Sequence, residues 1–386
     1  MLDLWWARNL EGFQHNQRTV IMIVKHITLP AISPELLEDF KAYLPYCAEG
    51  MISFKATCGK DLDIEFTCAS EHNVPVIESA IRKVLDAMGE NGAVGPVEKR
   101  IVFDNRSVAS HNQREVFGEL LRDGHLIKFG HGQYGMGKTF LQVFKYFERG
   151  CYRLALQQNP VEYVYPIMIP TRYLRQCGYF GEHPQSATFM APSSLVQEPD
   201  HVGKSAVCLH CYPHFENQVV TNPVTLTTQG RCYRYGAEEM QGIENLWEFI
   251  MRESIYMGSA DYVRERLGDI RRLTTEWMAR LGINCWIEAA GDPFYAERPD
   301  VLRKSRLIKE NKYELRCNLP KSSVAVASFN FHGPHFSKAF NITDGGNYIA
   351  TGCAGFGIER LTYAFLSQYG LDSWPRHIQN EVLAKS

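Results

Sequence analysis

From Ala350 to Leu361 the chain reads Ala-Thr-Gly-Cys-Ala-Gly-Phe-Gly-Ile-Glu-Arg-Leu. A strand enters a group of glycines and a helix starts near Ile358, with no linker between them. Small residues at such a junction let a ligand approach the backbone closely, and the first turn of a helix favours anions. Arg360 adds a planar guanidinium suited to phosphate or carboxylate. An ordinary helix start with a satisfied arginine is the plain alternative. Gly-x-Gly followed by an apolar residue, Glu and Arg is nevertheless far more specific than a cluster of glycines. An anion site is therefore expected at this strand-to-helix junction.

The pattern around the junction is α+β. Residues 1–21 read as an N-terminal extension. Strand patterns at Met22–Leu29, Met51–Thr57, Leu62–Cys68 and 100–103, with helices at Pro34–Tyr46 and Pro75–Met88, predict a small α+β accessory domain over 22–105. In 106–386, helical patterns fall at Asn112–Asp123, Lys138–Gln158, Ile243–Met257 and Ser259–Leu281. Strands are expected at Val161–Met168, Asn284–Glu288, Tyr313–Leu319, Val324–Phe331 and Tyr348–Thr351. Long helices and non-sequential strands alternate without regular βαβ units, which predicts an antiparallel sheet with helices packed on it. At roughly 150 residues per domain, 386 residues fit such a division.

Composition narrows the function classes. Apolar residues at 45% and charged residues at 22% exclude a disordered chain. Lys+Arg number 41 and Asp+Glu 43, a net charge of −2, so no global basic field holds the chain on nucleic acid. The first residues lack a secretory leader pattern, and no apolar run reaches the roughly 18 residues of a membrane span. Eleven cysteines in such a chain imply reduced thiols and a cytoplasmic location. Most are expected to be small buried residues, and a few to bind metal.

Gly132-Gln133-Tyr134-Gly135-Met136-Gly137-Lys138-Thr139 fits the phosphate-loop pattern G-x-x-x-x-G-K-[ST]. That fold also needs parallel strands, one ending in an acidic residue for the metal. The next apolar run, Val161 to Pro170, ends in Pro-Thr-Arg and carries two prolines, Pro166 and Pro170. A glycine-rich turn leading into a helix is the preferred reading; a P-loop NTPase is retained as a second alternative.

The 350–361 junction resembles motif 3 of the class II aminoacyl-tRNA synthetases, whose arginine holds the γ-phosphate of ATP. Arg231-Cys232-Tyr233-Arg234, then Glu238-Glu239, then Trp247-Glu248-Phe249-Ile250-Met251-Arg252-Glu253 resembles motif 2. The resemblance implies that Arg234 contacts the α-phosphate and the substrate carboxylate, that Phe249 stacks on adenine, and that Glu238 or Glu239 reads the adenine amino group. The family's acid two places after the arginine is absent, because Tyr235-Gly236 follow Arg234. Tyr165-Pro166-Ile167-Met168-Ile169-Pro170 resembles the dimer-interface motif 1.

Within class II the chain is similar to the atypical seryl-tRNA synthetases of methanogens and, more so, to the short amino acid:[carrier protein] ligases. Both hold a catalytic zinc by Cys, Glu and Cys. The matching residues are Cys211 in His210-Cys211-Tyr212-Pro213, Glu253, and Cys353. Gly291-Asp292-Pro293-Phe294, Lys312-Tyr313-Glu314-Leu315 and Ser328-Phe329-Asn330-Phe331-His332 extend the match, and Asn330 is assigned to substrate binding. Cys208 is set aside because no second Cys-x-x-Cys pair exists, and His332 and His335 are read as core or pocket residues. Apart from any family, two thiolates and a carboxylate make a three-ligand zinc site with one open position.

The resemblance implies ATP-dependent activation of a small α-amino acid, with Arg234, Arg360 and Mg2+ neutralising charge and Zn2+ taking the amino group. A ligase of the carrier-protein type, transferring to a phosphopantetheine thiol, is the first reading, since the net charge is −2 and only about 105 residues precede the catalytic region. Transfer to tRNA is the alternative. Arg264 to Arg272 and Arg303-Lys304-Ser305-Arg306 are the basic segments available to an acidic partner, and a homodimer is expected.

Overall fold

The structure, a computed structural model, describes residues 23–33, 37, 40–41, 51–68, 70–89, 101–107, 114–182, 187–190, 200–236, 240, 242–289, 312–371, 374 and 376–383. It divides the chain into two compact units, 1–94 and 95–386.

In the first unit, β1 (Ile23–Pro30), β2 (Met51–Cys58) and β3 (Asp61–Cys68) form an antiparallel sheet in the order β1-β3-β2. Alternation fixes its faces: Leu62, Ile64, Phe66 and Cys68 are buried while Asp61, Asp63 and Glu65 face outward. The helix Asn73–Gly89 sets Ile77 and Ile81, four residues apart, into the same core. Residues 1–21 and most of the helix expected over Pro34–Tyr46 lie outside the described residues.

The strand expected to close this domain belongs to the second unit. There β4 (Ile101–Asp104) pairs antiparallel with a strand far along the chain, so the unit boundary falls at 94 rather than 105. The chain continues through a hairpin, β5 (Leu126–Gly130) and β6 (Gln133–Met136), the helix Lys138–Leu156, and β7 (Val161–Tyr163). β8 (Met168–Pro170), β9 (Thr188–Met190) and β10 (His201–Gly203) form a small sheet, β8-β10-β9. Then come β11 (Val224–Tyr233), β12 (Glu248–Gly258), the helix Ala260–Arg280, β13 (Cys285–Ala289), β14 (Lys312–Asn318), β15 (Ser323–Gly333), β16 (Ala350–Gly357) and the helix Ile358–Tyr369. The main sheet has eight strands in the order β4-β13-β14-β15-β16-β12-β11-β7. Every neighbouring pair is antiparallel except β11 with β7.

β12 corrects the helix expected over Ile243–Met257. Met251 to Gly258 are all buried because both faces of this central strand are covered. A strand that is apolar on both faces loses its alternation and imitates a buried helix. On one face, Tyr256, Phe329 and Phe356 pack with Phe147, Trp277 and Phe365 of the helices. On the other, Leu226, Cys232, Met251, Ile255 and Cys353 line a second cluster that carries the site. Ser259 caps the helix Ala260–Arg280, its hydroxyl accepting from the Tyr262 amide at 3.2 Å. Gly370, at φ +76°, ends the helix Ile358–Tyr369.

The phosphate-loop look-alike is the β5–β6 hairpin and the helix after it. Its strands are antiparallel, Lys138 donates to the Asp123 carbonyl, and the Thr139 amide donates to His125 Nδ1 at 3.2 Å. The Gly132 carbonyl accepts from the Trp247 amide at 3.1 Å. Among the described residues β5 and β6 pair only with each other, without the parallel neighbour that a phosphate loop requires. Among the described residues no helix is long and apolar enough to cross a membrane.

Candidate active site

Strand register brings the scattered candidates to one face. Thr228 lies opposite Glu253 in β11 and β12; Glu253 opposite Gly355, and Ile255 opposite Cys353, in β12 and β16; Cys353 opposite Asn330 in β16 and β15. Directly opposed residues share a face and so do residues two apart. Glu253, Cys353, Asn330 and Thr228 therefore form one patch. Gly355 makes room for it, since a Cβ there would stand 3.0 Å from Glu253 Oε1.

The second cysteine comes from above the sheet. The Cys208 amide donates to Glu253 Oε2 at 2.6 Å, which ties the turn Val207–His210 to the carboxylate. Sγ of Cys208, a carboxylate oxygen of Glu253 and Sγ of Cys353 all lie within 4.8 Å of one another, and all three residues are buried. Cys211, expected at this place, is outside the group. It opens the next helical turn, Cys211–His214, and its thiol faces the Tyr165 hydroxyl. The cysteine set aside in the sequence, Cys208, is thus the one grouped with Glu253 and Cys353.

Side chains around the cluster hold Cys353 in place. Asn330 Nδ2 donates to Cys353 Sγ at 3.6 Å and to Ser328 Oγ at 3.1 Å. His332 Nε2 lies 3.7 Å from the same sulfur, while its Nδ1 lies 3.3 Å from the Tyr212 hydroxyl. Burial pushes His332 down to about 3, so this ring is neutral and has one proton to donate. Contact with Cys353, and then burial, holds the Cys208 thiol well above its ordinary range. For Cys353 the hydrogen bond from Cys208 pulls the other way, but burial and Glu253 outweigh it and the pKa rises. Asn330 Oδ1 and Thr228 Oγ1 are buried on the same patch with no hydrogen-bond partner among the described residues. Orphaned buried polar atoms mark a place for an absent group. Two sulfurs and a carboxylate oxygen at this spacing, closed to water, fit zinc.

The other half of the face is a cavity of about 250 Å3 lined in part by Arg234, Phe249, Lys312, Glu314, Ser328 and Arg360. Arg234 Nε donates to the Ser205 carbonyl at 2.9 Å, and its guanidinium lies 5.3 Å from the centre of the Phe249 ring. Arg360 donates to the carbonyls of Glu244 at 2.7 Å and Ala325 at 3.1 Å, and to Asn245 Oδ1 at 3.2 Å. Burial, and then the Arg234 charge, lower Arg360 to about 10, so it stays a cation at neutral pH. Both carboxylate oxygens of Glu359 accept from the Ile250 amide, at 2.9 and 3.0 Å, fastening the helix Ile358–Tyr369 to β12. Glu314 also lines a second cavity beside Arg360 together with Glu244, and the two offer oxygens suited to a hard cation such as Mg2+. Glu238 and Glu239, Gly291 to Phe294, and Arg303 to Arg306 lie outside the described residues.

Sequence reasoning missed the pinning of Cys208 by Glu253 and the presence of Thr228. Cys208 carried a signal, since it lies one helical turn from Cys211. Thr228 carried none; only the pairing of β11 with β12 reveals it.

The eight-stranded, mostly antiparallel sheet and the helix after β16 have the class II aminoacyl-tRNA synthetase fold. No protein-family model matches the chain. It is nonetheless homologous to type-2 serine–tRNA ligases and to an amino acid–[acyl-carrier-protein] ligase. A type-2 serine–tRNA ligase of Methanococcus aeolicus is 33% identical over 200 residues, 49% of this chain and 38% of the relative. One from Methanococcus maripaludis is 26% identical over 292 residues, 66% of this chain and 57% of the relative. Amino acid–[acyl-carrier-protein] ligase 1 of Bradyrhizobium diazoefficiens is 27% identical over 207 residues, 50% of this chain and 59% of that one. The chain thus spans 38% to 59% of these relatives' lengths. Among solved structures, M. kandleri SerRS in complex with A. aeolicus tRNASec superposes with a TM-score of 0.68 at 19% identity, covering 94% of this chain and 78% of that one. A serine–tRNA ligase of Naegleria fowleri in complex with AMP gives 0.61 at 9% identity, covering 81% and 72%.

Proposed function

We propose that this chain activates an amino acid with ATP and transfers it to tRNA. The single observation that carries the activation step is the shared sheet face, on which Arg234, Phe249 and Arg360 border one cavity and Cys208, Glu253 and Cys353 lie beside it. The amino acid carboxylate attacks the α-phosphorus of ATP in line, giving an aminoacyl-adenylate and pyrophosphate. Arg234 neutralises charge developing at the α-phosphate, its guanidinium aimed by the Ser205 carbonyl. Phe249 offers its ring to adenine, and Arg360 holds the terminal phosphate, with Glu244 and Glu314 available to Mg2+. Cys208, Glu253 and Cys353 would hold a zinc ion, which would supply a Lewis acid for a neutral amino group and so favour α-amino acids over plain carboxylic acids. Asn330 Oδ1 and Thr228 Oγ1 face the side chain of a small substrate.

The acceptor is the part on which the reading from sequence changes. Near-neutral charge argued for a carrier protein. Two type-2 serine–tRNA ligases are similar over stretches of the chain, and the tRNA-bound structural neighbour covers 94% of it, a span that reaches into the first unit. A net charge of −2 on the whole chain does not describe a local surface, so it is the weaker argument. Transfer to a phosphopantetheine thiol remains the second reading, supported by the Bradyrhizobium diazoefficiens relative.

Amino acid-dependent exchange between pyrophosphate and ATP, run over a panel beginning with serine, tests activation. No exchange with any amino acid by the zinc-loaded chain would remove it. Transfer of the labelled amino acid to tRNA or to phosphopantetheinylated carrier protein then separates the two acceptors. Val164, Ile167 and Met168 are exposed apolar residues beside the edge strand β7, which supports a homodimer through this surface. Light scattering that gives a monomer at micromolar concentration would count against it.

A further inference from the structure

Lys204 is a buried cation that the activation chemistry above does not use. Its residue is wholly inaccessible to water. The backbone pins it from two sides: its amide donates to the Ile167 carbonyl at 3.1 Å, and its carbonyl accepts from Tyr233 at 2.8 Å. The ammonium reaches the site-bearing face of the sheet, since a Cβ on Gly230 would stand 3.0 Å from Lys204 Nζ. Gly230 lies opposite Met251, two residues along from the Thr228–Glu253 pair. Among the described residues the hydrogen bond of this ammonium is a long one, 3.4 Å to the Tyr165 carbonyl. One weak bond does not compensate a three-donor cation for its lost water. The groups of opposite tendency that its charge faces are Cys232, Cys211, Glu253 and Cys208, and burial is what lowers its pKa.

We infer that Lys204 is the counter-charge of the Cys208–Glu253–Cys353 cluster, a positioning residue that makes the filled site electrically neutral. The inference rests on the zinc reading above. Two thiolates and a carboxylate carry three negative charges, and a divalent ion removes two. In a water-free interior the remaining negative charge is costly unless a cation lies nearby, and Lys204 is that cation. A neutral amino group entering the fourth position leaves the balance unchanged. Gly230 matters because a Cβ there, 3.0 Å from Nζ, would push the ammonium aside by a few tenths of an ångström.

The test is competition for Zn2+ between the full chain, stripped and reloaded, and a chromogenic chelator at pH 7.5. Lys204→Met keeps the stem and removes the charge. Its zinc affinity is expected to fall about 10- to 100-fold, as for other residues that support a metal site without touching it. Its metal-free melting temperature should be equal to or above wild type, because a buried charge is gone. With Co2+ in place of zinc, the thiolate-to-cobalt absorption should be unchanged once the site is saturated, since the ligands are the same. Gly230→Ala should weaken zinc binding in the same direction by a smaller factor, and it stands in if Lys204→Met fails to fold. Wild-type affinity in Lys204→Met, or an altered cobalt spectrum at saturation, would overturn the inference alone. A wild-type chain that takes up no zinc would overturn the zinc reading, and the inference with it.

Discussion

The two ends of the active face solve opposite electrostatic problems. At the nucleotide end, Arg234 and Arg360 are held mainly by backbone carbonyls, those of Ser205, Glu244 and Ala325. A carbonyl fixes a guanidinium without cancelling its charge, so the cavity stays positive and ready for phosphate. At the metal end, Cys208, Glu253 and Cys353 are closed off from water, and the two thiols are pushed toward their neutral forms. One end carries its charge before any ligand arrives; at the other, the thiols give up their protons only when a cation does. Removing a residue should therefore act differently at the two ends: on the reaction at the first, on metal content before reaction at the second.

The largest effect is expected at the nucleotide end. Arg360→Ala should lower kcat/KM in the exchange assay by about 100- to 1000-fold, with zinc content unchanged. Loss of zinc in this variant would break the comparison, because it would mean that the two ends are not separate. Cys208→Ala should reduce zinc from about one per chain to near zero by elemental analysis, and exchange should fall with it. Cys211→Ala should keep its zinc. The opposite result would return the ligand role to Cys211 and leave the hydrogen bond from Cys208 to Glu253 as mere packing.

Glu359 links the two ends by clamping β12, and it sets a pH dependence. Burial raises its carboxyl from 4.5 to about 8. Between those values the folded chain holds a proton that the unfolded chain has lost, so this contribution to stability falls as pH rises. Raising the pH from 5 to 8.5 should cost the wild type on the order of 4 kcal/mol more than Glu359→Gln, measured by denaturant melts of both. Parallel pH profiles would show that the clamp works ionised.

How much of this was legible in the sequence follows from locality. Gly355, Gly357, Glu359 and Arg360 sit within one strand-to-helix junction, and Arg234 within one short run, so their grouping could be read from the chain. The metal end is assembled from residues far apart, and which residues meet depends on register. Cys208 and Cys211 are three apart, on the same side of a tight helical turn. Only the fold separates them: the Cys208 sulfur lies within 4.8 Å of Glu253 and Cys353, and the Cys211 sulfur is not in that group. β4 was misassigned for a similar reason: four residues cannot reveal a partner in β13. Burial on both faces of β12 erases its period, so its sequence reads as a helix.

The smallest effect is the one that tests whether the nucleotide end has been assigned to the right place. Lys138 is the lysine of the phosphate-loop pattern, and it is the exposed first residue of the helix after the β5–β6 hairpin, donating to the Asp123 carbonyl. If ATP binds at Arg234 and Arg360, Lys138→Ala removes a surface hydrogen bond and nothing more. Stability should change by about 0.5 kcal/mol, and kcat and KM for ATP should stay within about twofold of wild type. A real phosphate loop would behave otherwise, because its lysine reaches the β- and γ-phosphates and the loss would be felt at the transition state. A drop as large as that of Arg360→Ala would move the nucleotide to the hairpin. The Arg234–Arg360 cavity would then need another anion.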